Sequence, residues 1–240
     1  MANQLLESSE LPRRPAGTCL LYLVRHGTTT LNVQNRYRGR RDIPLDAWGY
    51  QDAVDAARYL SSAGLAAVYT SPLRRAIATA QIIADEARVP DLRILHGLNN
   101  VDYGAWEGMT AEEAAMFDPE AFALYRTSPN IAACPLGERL SDAQHRMMAA
   151  LQLIGARHGG EAVVAVTHAV MIRLAFVEIS GISDETWRRP VGRGSVTAFY
   201  AEGGTIWPVP SEQRDTAGEG SAVLPAAQPG DWARGEKALG

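Results

Sequence analysis

Short apolar runs alternate along the chain with stretches whose apolar positions recur at helical spacing. CLLYLV (19–24) is a continuous apolar run of strand length that ends abruptly at Arg25, His26 and Gly27. That is the pattern of a buried strand delivering polar residues at its carboxyl edge. Asp46 is placed to cap a helix running to about residue 62 and stopped by Gly64, because a carboxylate accepts the free N–H groups of a first turn and glycine tolerates the conformation that ends a helix. AAVYT (66–70) reads as a second strand, followed by Ser71 as N-cap and Pro72 at the first position of a helix to about residue 87. Residues 91–95 form a short strand. Thr110 and Glu113 make a capping box that opens a short helix, and Pro119 and Pro129 break up the stretch beyond it. A long helix is expected over 138–158, a buried strand over AVVAVT (162–167) ending at His168, a helix over 170–180, and a closing hairpin over 195–207 turning at Gly203 and Gly204. Strands alternating with helices predict an α/β fold, a three-layer α/β/α sandwich with a mostly parallel central sheet. Ligands of such sheets bind beyond the carboxyl ends of the strands.

Residues 1–18 and 208–240 carry neither helical nor alternating period and are expected to be flexible tails. The remaining 19–207 has the size of one domain, without an internal repeat.

Composition narrows the chemistry. Of 240 residues, 46% are apolar and 21% charged, enough for a real core, which excludes a wholly disordered, collagen-like or coiled-coil chain. The net charge of −4 offers no overall positive field for nucleic acid or an anionic membrane, so any anion site must be local. All but one of the 23 basic residues are arginine, Lys237 being the exception. A GC-rich genome accounts for most of that bias. The planar guanidinium fork nonetheless suits bidentate capture of phosphate. Cys19 and Cys134 lie far apart without metal-ligand spacing. No apolar run reaches the roughly 20 residues of a membrane span, and the N-terminus lacks the basic start and apolar stretch of a secretion signal. A cytoplasmic protein is expected.

Two strand ends present polar groups in the same way, Arg25-His26-Gly27 after the first and Thr167-His168 after the 162–167 strand. In a parallel sheet both edges face one crevice. The helix after Pro72 brings Arg74 and Arg75 to a third strand end, so that histidines, arginines and helix N-terminal amides would form an anion pocket.

LYLVRHGTTTLN (21–32) resembles the LxRHGxTxxN signature of the histidine phosphatase superfamily, also called the phosphoglycerate mutase-like family. Residues 36–53, YTSPLRRAIATAQIIA (69–84), AVVAVTHAVMIRLAF (162–176) and YGAWEGMT (103–110) resemble further segments of that family. The resemblance covers about 19–207 and implies a small helical insertion covering the site. It implies a phosphatase acting on a small phosphorylated metabolite, with His26 as the nucleophile that becomes phosphohistidine. Arg25, Arg75 and His168 would hold the phosphoryl oxygens. Gly27, Asn32, Arg38, Gly39, Asn100 and Ala169 fall at substrate-binding positions, while Arg74 would point to solvent. No metal and no cofactor are implied. The expected partner is a small phosphorylated substrate, with no nucleic acid and no membrane, and a homodimer is allowed. Phosphoglycerate mutase activity is less expected, because such mutases carry a longer insertion.

The departures matter as much. Family members have Glu in an LxExxFG pattern as general acid and base, whereas Asn100 stands there in Leu98-Asn99-Asn100-Val101-Asp102-Tyr103-Gly104. Ala169 follows His168 where another branch has its acidic residue. Losing a general acid costs about 10²- to 10⁴-fold. Three readings remain open at this level: Asp102 or Glu107 substitutes, the substrate has a leaving group that needs little protonation, or the chain is a phosphate-ligand binder or catalyst of another reaction in the same oxyanion pocket. Thr28 replaces a common Glu, Arg38 a Gln, Ser or Thr, and Arg139 a Ser. Together with Arg36, Arg40 and Arg41 these would add positive character at the pocket mouth. His96, His145 and His158 match no motif and are expected on the surface or on helices.

Overall fold

The computed structural model describes residues 11–210. Residues 1–10 of the expected N-terminal tail and 211–240 of the expected C-terminal tail lie outside the described residues. Six strands, β1 (Cys19–Arg25), β2 (Leu65–Thr70), β3 (Leu92–Ile94), β4 (Ala162–Thr167), β5 (Val196–Glu202) and β6 (Thr205–Pro208), form one sheet in the order β3-β2-β4-β1-β5-β6. β3, β2, β4 and β1 run parallel, and the β5-β6 hairpin adds two antiparallel strands beyond β1. β1 and β4 are buried on both faces, which is why their sequences read as unbroken apolar runs.

Helices cover both faces. α2 (Ala47–Leu60) and α3 (Arg74–Glu86), which follow the short α1 (Thr30–Val33), pack Ala56, Leu60, Ala80 and Ile83 against Leu20, Tyr22 and Val164. On the other face α6 (Leu140–Arg157) and α7 (Ala169–Ser180) pack Met147, Leu151 and Met171 against Leu21, Leu23 and Ala165. The result is the three-layer sandwich expected. Between β3 and α6 lies the insertion, with α4 (Ala111–Phe117) and α5 (Pro119–Thr127); α8 (Asp184–Trp187) follows α7. The fully buried Trp106 and the phenols of Tyr103 and Tyr125, 2.8 Å apart, anchor the insertion to Tyr37. Reciprocal backbone bonds, Tyr37 N to Met109 O (2.8 Å) and Gly108 N to Tyr37 O (2.7 Å), seal the same seam. No helix of the described residues is long and apolar enough to cross a membrane.

Asp46 caps α2 by accepting from Gly49 N at 2.8 Å, and Thr110 and Glu113 form the capping box at α4. The start of α3 differs from expectation. The helix begins at Arg74, not at Pro72, because the Ser71 hydroxyl is turned to His168 Nε2 (2.8 Å) and the Arg74 N–H donates to Asp42 Oδ1 (2.7 Å). A cap borrowed from 32 positions away is invisible to local pattern. His158, expected on the surface or on a helix, stands at the end of α6 and is buried there, between the Tyr69 hydroxyl (2.9 Å) and the Glu161 carboxylate (2.6 Å). Within the expected N-terminal tail, Leu11 packs on the α2-α3 face and the Tyr200 hydroxyl donates to the Arg13 carbonyl at 2.6 Å.

Candidate active site

Strand register assembles the site. Arg25 pairs with Thr167 and Thr70 with Val166, so β1, β4 and β2 end level with one another. Two of these edges are extended by one further backbone bond each, His26 N to Thr167 O (3.1 Å) and Ser71 N to Val166 O (3.0 Å). His26, His168 and Ser71 therefore share one edge, and the rings of His26 and His168 stand 5.0 Å apart between centroids.

The hydrogen bonds assign the imidazole tautomers. His26 Nδ1 lies 2.6 Å from the Gly27 carbonyl oxygen, which can only accept, so Nδ1 carries the proton and Nε2 keeps its lone pair. His168 Nε2 meets the Ser71 hydroxyl, which also accepts from Leu73 N (3.4 Å). If that hydroxyl donates to Nε2, His168 Nδ1–H is the free donor, and it is buried without a partner. Burial, then the charges of Arg75, Arg25 and Arg38, hold His26 well below the ordinary histidine value of 6.5, despite the bond to Gly27. Burial and Arg75, followed by His26, Arg38 and Arg146, do the same to His168.

Both imidazoles are thus neutral in the folded protein, whereas an unfolded chain protonates them near pH 6.5. Their contribution to stability is complete above that value and is lost as pH falls toward the depressed folded values. Urea midpoints measured from about pH 7.5 down to about pH 5 are expected to fall, and added inorganic phosphate to slow the fall by favouring protonated rings. A His26 ring titrating at or above 6.5 by NMR would contradict this.

Four arginines bear on the two rings, Arg75 and Arg38 on both, Arg25 on His26 and Arg146 on His168. Arg75, on α3, donates through its two terminal nitrogens to the carbonyls of Arg41 (2.7 Å) and Gly39 (2.9 Å), leaving Nε buried and unpartnered. Burial and the neighbouring Arg38 pull it down to about 9, so it stays cationic at neutral pH. Arg25 donates to the Val191 carbonyl and also leaves its Nε buried without a partner, as does Arg38. Orphaned donors of this kind around two neutral imidazoles leave positive charge uncompensated, the environment that favours an oxyanion.

Asn100 belongs to the same cluster. Its amide nitrogen donates to the Gly39 carbonyl at 3.0 Å, beside Arg75, while Oδ1 is buried without a partner. Gly39 adopts φ +52°, and a side chain there would overlap the Glu107 carboxylate, so glycine is required. Gly27 donates to Thr79 Oγ1 (3.2 Å), and a Cβ on it would overlap the Gly49 carbonyl of α2. Its missing side chain lets α2 approach the site. Asn32 accepts from Thr29 N (3.0 Å) and Thr29 Oγ1 (2.8 Å), and no contact ties it to the two histidines. Ala169 opens α7 half-buried, and Arg74 is exposed.

The charges expected at the mouth are redistributed. Arg36 is paired with Glu113 (2.8 Å), Arg40 with Glu138 (3.4 Å) and Asp102 (3.5 Å), and Arg41 with Glu107 (3.8 Å), while Arg139 is exposed. The two carboxylates that could stand in for the missing glutamate are engaged elsewhere. Asp102 Oδ1 accepts from Gly104 N (2.9 Å), and Glu107 Oε1 from Arg40 N (2.6 Å). Among the described residues, no three His, Cys, Asp or Glu side chains gather in a metal-binding group. Sequence reasoning missed Ser71 as the partner of His168, although it lies in the 69–84 motif segment.

Comparison with known proteins gives the family. Bifunctional protein Rv2228c of Mycobacterium tuberculosis is 36% identical over 188 residues, covering 76% of this chain and 51% of that protein, so the chain spans about half the length of that relative. Phosphoserine phosphatase 1 of Hydrogenobacter thermophilus is 33% identical over 183 residues, 76% of this chain and 86% of the relative. The solved structure of Bacillus stearothermophilus YhfR superimposes with a TM-score of 0.72 at 36% identity, covering 79% of this chain and 95% of that one. The model of the histidine phosphatase superfamily (branch 1) matches residues 21–209. His26, His168, Arg25 and Arg75 all fall inside that span, and the chain belongs to branch 1 of the histidine phosphatase superfamily.

Proposed function

We propose that the protein is a phosphatase that hydrolyses a small phosphorylated metabolite through a phosphohistidine on His26. The observation that carries this reading is His26 Nε2, a neutral ring nitrogen with its lone pair free, set among unpartnered arginine donors and His168. In the first step Nε2 attacks phosphorus in line and forms the P–N bond, while the bond to the leaving oxygen breaks and that oxygen takes the electron pair. Arg25, Arg75 and His168 Nδ1–H stabilise the charge redistributed over the equatorial oxygens. In the second step water attacks phosphorus, the P–N bond breaks, and Nε2 recovers its pair. Of the water's two protons, one stays on the new phosphate hydroxyl and the other passes to a second phosphate oxygen, so the product departs as H₂PO₄⁻.

Asn100 shapes both steps. Its NH₂ donates to Gly39 while Oδ1 is buried with no partner among the described residues, so Oδ1 is the atom left to accept, and an amide oxygen accepts hydrogen bonds without donating a proton. It orients the attacking water and supplies no acid to the leaving group. With Asp102 and Glu107 both occupied by backbone N–H groups, the favoured substrates are those whose leaving group is stable as an anion: acyl phosphates, phenolic phosphates, phosphoramidates or pyrophosphates. Relatives named phosphoserine phosphatases support the reaction class.

The test is to incubate the protein with acetyl phosphate and with p-nitrophenyl phosphate and to quench rapidly. An acid-labile, base-stable phosphate on the protein is expected, with turnover of both substrates. No turnover and no phosphoenzyme with either would overturn the reading.

A further inference from the structure

Besides Arg75 and Arg146, two groups of arginines lie near the site. Those of the 36–41 loop are cancelled by carboxylates, apart from Arg38. Arg25, Arg38, Arg173 and Arg193 enter no ion pair among the described residues. Backbone bonds bring Arg25 and Arg193 together. Arg25 N donates to Ser195 O (3.1 Å) and Gly194 N donates to Arg25 O (3.0 Å), which clamps the 191–195 loop, Arg193 included, against the end of β1. Arg173 on α7 is anchored by its Nε to the Arg189 carbonyl at 2.7 Å. The charges of Arg38, Arg193 and Arg173 all act on Arg25, and Arg193 acts on Arg38 as well.

Among the described residues nothing negative balances them closely. Asp52 reaches Arg25 from α2, but its Oδ2 accepts from both Thr28 N (2.8 Å) and Thr28 Oγ1 (2.6 Å). The phenols that face Arg38, Tyr103 and Tyr125, are held protonated by burial and bond to each other. Arg38 Nε and Ser195 Oγ are both buried and lack any partner. Buried cationic donors without an acceptor are costly unless a ligand supplies one.

We infer that a second oxyanion subsite, formed by Arg38, Arg193, Arg173 and the Ser195 hydroxyl, adjoins the phosphoryl pocket on the Arg25 side. The substrate accordingly carries a second anionic group, a carboxylate or another phosphoryl group. This rests on the reading that the phosphoryl group binds between His26 and His168. It also separates this pocket from one adapted to a phosphoryl group on a neutral body, because a neutral body leaves these four groups unanswered.

Calorimetric titration of the whole protein tests the subsite without turnover. The probes are phosphonoacetate and 3-phosphonopropionate, the amide of each, and methylenediphosphonate. At least one dianionic probe is expected to bind tenfold or more tighter than its amide counterpart, or, for the diphosphonate, than methylphosphonate, and the probe that does so identifies the second group. The R193Q variant of this exposed loop residue is expected to cut that ratio at least threefold, and the R139Q variant, altered at an exposed arginine outside the cluster, to keep it. Equal binding of charged and neutral probes overturns the subsite while leaving the phosphoryl pocket standing. Failure of every phosphonate and of inorganic phosphate to bind overturns both.

Discussion

The His26→Ala variant is expected to lose turnover by on the order of 10⁴-fold or more with every substrate and to form no phosphoenzyme, since removing a nucleophile removes the covalent route altogether. Inorganic phosphate is expected still to bind, because Arg25, Arg75 and His168 are held by bonds that do not involve the His26 ring. Thermal shift with phosphate separates these effects from misfolding: a variant that is stabilised by phosphate yet inert has lost only its nucleophile. Turnover within tenfold of the wild type would mean that water attacks the substrate directly, and the phosphohistidine mechanism would fail.

The Asn100→Glu variant is expected to gain about 10²- to 10⁴-fold on alkyl phosphates and little on acetyl or p-nitrophenyl phosphate. The gain corresponds to roughly 3 to 5 kcal/mol at about 1.36 kcal/mol per decade. Local electrostatics supports a proton on the new side chain. Asn100 sits against the Gly39 carbonyl, and an ionised carboxylate there would face that oxygen without a proton between them, which favours the neutral acid. Arg75, bonded to the same carbonyl, opposes this. Steady-state comparison of a serine phosphate with an aryl phosphate in both proteins measures the difference. No gain on the alkyl ester would show that proton delivery does not depend on position 100.

Much of this protein was legible in its sequence. The unbroken apolar runs at 19–24 and 162–167 determined two central strands, because residues buried on both faces of a sheet have no polar face to alternate with. The Asp46 and Thr110 caps determined where two helices begin, since each cap bonds within its own first turn. Where the chemistry depends on partners distant in the chain, sequence pattern failed. Ser71 looked like a helix cap and instead meets a histidine 97 positions away. His158, expected on the surface or on a helix, ends α6 and is bonded to Tyr69 from a strand 89 positions away, a partner that no local pattern shows.

The arginines draw the same boundary. Their number, and the placing of Arg25 and Arg75 within the motif segments, followed from sequence alone. Which of them keep a free charge did not. Arg36, Arg40 and Arg41 are cancelled by carboxylates from the insertion and the segment after it, while Arg38, a neighbour in the same loop, acts on both histidines and keeps an unpartnered nitrogen. Local sequence determined the elements and the motif residues, because helix periods, caps and apolar runs act over a few positions. Tertiary structure decided tautomer, charge balance and which amide atom of Asn100 is left without a partner, because burial and the partners that satisfy each polar group come from segments tens of residues apart.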